Sequence, residues 1–279
     1  MKIVLTGSEG QLGKALADTF RSECVLGIDK HNCDITNRVE IISKITSFSP
    51  DIVVHCAAYS AVDQAEEEFE RCYEVNVHAT KHILDACLEV NTDLLYVSTD
   101  YVFGGDGEIP YEVNDKASPL STYGKSKLLG EEIIRERTKN HFIVRTSWLF
   151  GDGNNFVKTI IKLARTKNEL NIVSDQIGSP TYSVDLANTI FDIIKSKKYG
   201  SYHVTNEGFC SWADFAELIF LKMGIATKIN KVTSEEYMTK AQRPKNSRLS
   251  KASLDRNGIK RLPSLEDALE RYLPTIISG

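Results

Sequence analysis

The chain has 279 residues, of which 42% are hydrophobic and 26% charged, and its formal net charge is −4. That length gives one large or two modest domains with room for a sizeable core. The mildly acidic balance, with Lys and Arg spread along the chain, speaks against nucleic-acid binding, and no stretch of about 18 apolar residues offers a membrane span.

In chain order, the first strand is expected at 2–6, where Ile3, Val4 and Leu5 form a short apolar run. The run is too short, and too soon followed by glycine, to read as a secretory signal, so a cytoplasmic location is expected. Gly7, Gly10 and Gly13 follow in the spacing G-x-x-G-x-x-G, and Leu12, Leu16 and Phe20 then recur at helical spacing over 11–21. Strand, glycine turn and helix together predict a phosphate-binding turn, with the pyrophosphate at the helix N-terminus. A second strand at 24–28 ends at Asp29, an acid placed to accept from adenosine ribose hydroxyls.

Further strands are expected at 51–56, 93–97, 141–146 and 200–204, alternating with helices near 36–48, 69–90, 122–138, 155–167 and 183–195. Strict alternation predicts an α/β fold with a doubly wound, Rossmann-like parallel sheet. After residue 205 the rhythm changes: helices are expected at 211–223, 234–240 and 264–272, with no regular strand partner. The expected division is a dinucleotide-binding domain over 1–147, with 176–206 returning to its sheet. A smaller, mostly helical substrate-binding lobe is expected from 148–175 and 207–279.

The six cysteines (Cys24, Cys33, Cys56, Cys72, Cys87 and Cys210) stand singly, as free thiols do in a reducing compartment. His78 and His82 lie four residues apart without an evident third ligand, so no metal site is expected.

Two segments carry the chemistry. The fourth strand ends in Ser98-Thr99-Asp100, which puts the Thr99 hydroxyl at the carboxyl edge of the sheet, where a substrate carbonyl can reach it. Tyr123 and Lys127 stand four residues apart at the start of a helix, on one face. A free phenol has a pKa of roughly 10. A neighbouring ammonium is expected to lower it, making a proton donor for a carbonyl undergoing reduction.

These features resemble the extended, sugar-nucleotide-modifying branch of the short-chain dehydrogenase/reductases. The segments 57–63, 97–103, 123–127, 145–148, 175–181 and 243–249 are similar, in that order, to the dTDP-4-dehydrorhamnose reductase family, and the resemblance runs from residue 1 to about residue 270. It implies reduction of the 4-keto group of a dTDP-6-deoxy-L-lyxo-hexulose, yielding dTDP-L-rhamnose for surface polysaccharide. By matching position it implies Tyr123 as proton donor, Lys127 as its partner and ribose ligand, Thr99 as the group orienting the carbonyl, and Asp100 as neighbour of a sugar hydroxyl. Gly10, Gln11 and Leu12 are implied at the pyrophosphate, Asp34 and Ile35 at the adenine, and Ala57, Ala58 and Tyr59 at the ribose and phosphates. Ser60, Val62 and Trp148 are implied at the substrate, and Arg243 is proposed for its diphosphate.

Asp29 would repel a 2′-phosphate while Lys30 could pair with one; the reading favours NADPH, with NADH also accepted. Some relatives bridge subunits through a divalent ion held by glutamates. The matching positions here are Ala15 and Val184, which cannot hold a hard cation, so a homodimer of the metal-bridged type is not expected. Two other readings remain: an epimerase or dehydratase of the same superfamily, disfavoured because Asp100-Tyr101 lacks the usual Asp-Glu, and a non-catalytic regulatory subunit, disfavoured by the intact Thr99, Tyr123 and Lys127.

Overall fold

The structure is a computed structural model that describes residues 1–277. The first half runs β1 (Lys2–Thr6), α1 (Gln11–Thr19), β2 (Cys24–Ile28), α2 (Arg38–Phe48), β3 (Ile52–His55), the short helices α3 (Val62–Ala65) and α4 (Phe69–Tyr73), α5 (Ala79–Glu89), β4 (Asp93–Thr99), α6 (Thr122–Arg137) and β5 (His141–Thr146). The second half runs β6 (Leu149–Phe150), α7 (Phe156–Ala164), β7 (Glu169–Val173), β8 (Ile177–Gly178), β9 (Thr181–Tyr182), α8 (Ser183–Ser196), β10 (Gly200–His203), β11 (Cys210–Ser211), α9 (Trp212–Met223), β12 (Lys228–Val232), α10 (Ala252–Arg256) and α11 (Leu265–Ile277).

Six strands form one parallel sheet in the order β10-β5-β4-β3-β1-β2. Its central strands are buried along their whole length, as in Ile52–His55 and His141–Thr146, because helices cover both faces. One face packs Leu12, Leu16, Phe20, Leu186, Ile190 and Ile194 from α1 and α8. The other packs Ile41, Ile45, Ile83, Leu84 and Ile134 from α2, α5 and α6. The strand order reverses between β1 and β3, and that reversal opens a crevice at the carboxyl ends of the strands.

A second core lies apart from the sheet, where Val157, Ile160, Leu170, Ile172, Phe215, Ile219, Leu269 and Tyr272 meet. Its α9 starts on a capping box between Ser211 and Asp214 and stops at Gly224, whose φ of 64° suits the left-handed end of a helix.

Three expectations need correction. The long helix over 69–90 is interrupted by a π-turn at Glu74–His78, which lets the Asn76 side chain reach inward. No helix forms at 234–240. Thr233 and Ser234 instead bind Glu236 and Asp175 through their side chains, and a single turn ends before Met238, which is 89% exposed with nothing to pack on. Finally, the region after 205 does contain a strand with a partner: β12 pairs in parallel with β7, so the smaller core has its own two-stranded sheet.

Candidate active site

The site forms where the glycine turn, the ends of β3 and β4, and the start of α6 converge. Gly7 has φ 69°, and a Cβ there would come within 2.8 Å of the Ala57 nitrogen. A Cβ on Gly13 would stand 2.0 Å from the Gly7 carbonyl oxygen. Only glycines allow the turn, helix α1 and the loop after β3 to sit this close. Asp29 braces the turn, accepting from the Glu9 N–H at 3.0 Å through Oδ2 and from the Lys30 N–H at 2.7 Å through Oδ1.

These elements enclose a cavity of about 640 Å³. Gly7, Gly10, Gln11, Leu12, Gly13, Asp29, Lys30, Asp34, Ile35, Ala57 and Ala58 line it toward the glycine turn, and Ser60, Thr99, Asp100, Tyr123, Lys127 and Trp148 line it toward α6. Residues far apart in sequence thus share one space, because the parallel strands all end on the same edge.

Three expected residues do not line it. The Tyr59 phenol turns outward to bond Glu68 at 3.0 Å, while its N–H bonds Asn76. Val62 is taken into the first turn of α3. Arg243 lies at a second cavity of about 350 Å³ and forks onto Asp63, at 3.1 and 2.6 Å, so its guanidinium already has a carboxylate partner.

The end of the cavity at α6 is dominated by burial. Burial pushes the Tyr123 phenol well above its ordinary range, and the nearby Asp100 pushes the same way; the Thr99 hydroxyl beside it pulls down. The lowering expected from Lys127 is not found: desolvation sets the direction, and Lys127 is not among the main groups acting on the phenol. Lys127 is itself buried, and burial lowers its ammonium to about 7, against an upward pull from Glu131. Asp100 is raised by burial to about 6, opposed by hydroxyls of Ser247 and Thr99. Its Oδ1 accepts from Thr99 at 3.0 Å. Its Oδ2 has no partner in hydrogen-bond geometry.

Trp148 faces the cavity with φ 47°, a rare conformation for a bulky residue. One face of its indole is covered by Trp212, stacked at 3.6 Å and 9°. A ligand therefore has only the remainder of the ring to pack against. Trp212 in turn lines the second cavity, so the stacked pair forms a wall between the two spaces.

Sequence reasoning missed several members. Trp212 lies 64 positions after Trp148, and no local pattern links them. Arg71 reaches the cavity from α4 and acts with Lys30 on Asp34. Asn76 donates to the Ser126 hydroxyl at 2.9 Å and to the Tyr59 carbonyl at 3.1 Å, tying the loop after β3 to α6. An inward-facing polar residue within the 69–90 helical pattern was the available signal for Asn76.

The cavity fits a dinucleotide by its own chemistry. Gln11 Nε2, Thr146 Oγ1 and Asp100 Oδ2 are buried at its walls without hydrogen-bond partners, a costly condition that a polar ligand relieves. The N-terminus of α1, begun by Gly10 without a side-chain cap, adds free N–H donors for phosphate.

Comparison with known proteins agrees in extent. The family model described as "RmlD substrate binding domain" matches residues 1–277. A spore coat polysaccharide biosynthesis protein of Bacillus subtilis is 42% identical over 98% of this chain and 96% of its own length. A dTDP-4-dehydrorhamnose reductase of Aggregatibacter actinomycetemcomitans is 42% identical over 88% of this chain and 89% of its own. Among solved structures, a dTDP-4-dehydrorhamnose reductase from Bacillus anthracis in complex with NADP superposes with a TM-score of 0.95 at 40% identity, covering 100% of this chain and 99% of that one.

Proposed function

Because the chain belongs to the dTDP-4-dehydrorhamnose reductase family, we propose that it reduces the 4-keto group of dTDP-4-dehydro-L-rhamnose to dTDP-L-rhamnose, using NADPH, in nucleotide-sugar and surface polysaccharide biosynthesis. The observation that carries this reading is the gathering of Thr99, Tyr123 and Lys127 at one cavity with the glycine turn.

The cofactor supplies the hydride to C4. The chain's own task is to hold the ketone and manage one proton. The Thr99 hydroxyl, whose one proton now goes to Asp100 Oδ1, turns to donate to the carbonyl oxygen and orients it. Tyr123, kept neutral by burial, gives its proton as negative charge develops on that oxygen. Lys127 bonds the nicotinamide ribose and offsets the phenolate left behind. Gln11, Leu12 and the α1 N-terminus take the pyrophosphate, Asp29 the adenosine ribose, and Ala57 and Ala58 the adjoining backbone. Lys30 and Arg71, both acting on Asp34, supply paired cations suited to a 2′-phosphate, which supports NADPH over NADH.

Ser60, Asp100 and the free part of Trp148 are assigned to the sugar. The nucleotide end of the substrate is assigned to the second cavity beyond the indole wall, where Arg243 would exchange an Asp63 contact for the diphosphate. The cofactor domain is taken as 1–147 with 176–206, and the substrate lobe as 148–175 and 207–279. Among the described residues no helix is long and apolar enough to cross a membrane, and a cytoplasmic enzyme without nucleic-acid partner is proposed.

The test is a panel of dTDP-, UDP- and GDP-4-keto sugars with NADPH, followed by loss of cofactor absorbance. Net oxidation with the dTDP-4-keto-6-deoxyhexose is expected. Turnover that recycles the cofactor, with no net oxidation on any sugar, would move the chain to the epimerases.

A further inference from the structure

A buried ammonium ordinarily needs a carboxylate, and Lys127 does not have one. It is 2% exposed and forms no ion pair among the described residues. The titratable groups around it are Glu131 and Tyr123 on its own helix, Tyr96 from β4, His55 at the end of β3 and Cys56 in the loop after it, and Cys72 from α4. Burial drives His55 down to about 3 and Cys56 up to about 12, and it raises Cys72 and Tyr96, so all four are neutral across the physiological range. Glu131 alone is charged, and it is already held by Arg145 at 2.9 and 2.7 Å and by Arg135 at 2.7 Å.

What remains beneath the ammonium is an aromatic face. Lys127 Nζ stands 3.9 Å from the centre of the Tyr96 ring. Tyr96 is fully buried and cannot turn aside: the His55 ring packs 5.5 Å from it, and its hydroxyl abuts Gly130, where an added Cβ would lie 2.5 Å away. The ring's negative face attracts a desolvated cation. Unlike a carboxylate, it does so without binding the N–H donors in a fixed fork.

We propose that Tyr96 is a positioning residue for the reaction: its ring seats the Lys127 ammonium in place of a counter-ion, leaving N–H donors free to face the cavity. The hydroxyl of Tyr96 is incidental to this role; the ring is what acts. The consequence for turnover rests on the reductase reading above, but the seating itself does not.

The experiment therefore follows Lys127 in the unliganded full chain, by ¹⁵N NMR of its Nζ across pH, with the resonance assigned by its loss in Lys127→Met. Tyr96→Phe should leave the titration midpoint in place. Tyr96→Leu should lower it by about one pH unit. Mono-, di- and trifluorophenylalanine at position 96 drain the ring face with little change of volume, so they keep the core and should lower the midpoint stepwise. In the enzyme assay the alkaline limb of kcat/KM for NADPH should move to lower pH in the same order, because the charged lysine is lost as pH rises through its pKa. A flat response across the fluorinated series overturns the proposal, as does a Phe variant that shifts as far as the Leu variant. If wild-type chain turned over no sugar nucleotide, the reductase reading would fail while the NMR series still decided this one.

Discussion

Helix α6 buries charge at both ends of one face, and the two ends are built in opposite ways. At Glu131 every oxygen is satisfied: burial pushes the carboxyl up, but Arg145 and Arg135 outweigh it and hold it below the usual carboxylate range. Arg145 is completed by the Val113 carbonyl at 3.1 Å and by His203 at 3.3 Å. One turn earlier, Lys127 has only a ring face, and Tyr123 and Asp100 are shifted away from their charged forms. The same desolvation acts at both ends. Where the partners are supplied it makes a rigid brace; where they are withheld it leaves groups that a ligand must complete.

The contrast can be broken first at the proposed proton donor. Tyr123→Phe should lower kcat by about 10²–10⁴-fold, the usual worth of a positioned acid, with NADP affinity by fluorescence titration nearly unchanged. Equal turnover in that variant would remove the phenol from the mechanism. At the braced end, Arg145→Met should destabilise the chain by about 3 kcal/mol in urea unfolding, because it leaves the buried Glu131 carboxylate with Arg135 alone. Adding Glu131→Leu, which also frees the half-exposed Arg135, should recover part of that loss; a double variant no better than the single would mean the buried carboxylate is not the source.

The unbraced end should respond with the other sign. Asp100 is protonated more readily folded than unfolded, so it costs stability as pH rises through about 6. Asp100→Asn should therefore stabilise the chain by ~2–3 kcal/mol at pH 8, with the gain fading between about pH 6 and 4, as read from melts across pH. Lys127→Met should abolish turnover yet raise stability by ~1–2 kcal/mol near neutral pH. The folded chain penalises the ammonium below about pH 7, so that gain should shrink as pH climbs toward the ordinary lysine pKa. The smallest effect concerns the second cavity: Arg243→Ala should raise KM for the sugar nucleotide about 10-fold and leave KM for NADPH within about 2-fold.

Much of the fold was readable because its signals are local. The strand, glycine turn and helix at the N-terminus lie within 20 residues, and the spacing of Tyr123 and Lys127 puts both on one helical face. The strand Lys228–Val232 was not readable: it is short and half polar, and only its pairing with Glu169–Val173 makes it a strand. The helix expected at 234–240 failed for the converse reason, since helical residues without a surface to pack against stop after one turn.

By itself, the sequence determined which side chains could do the chemistry and that a parallel sheet would carry them to one edge, because apolar periodicity and glycine spacing are properties of neighbouring residues. Only the tertiary structure decided their electrostatic state. That Lys127 sits over Tyr96 without a carboxylate, that Arg243 is engaged by Asp63, and that Trp148 gives one face to Trp212 are all matters of which distant groups exclude water from which. Desolvation is set by everything packed around a group, and no window of sequence contains that.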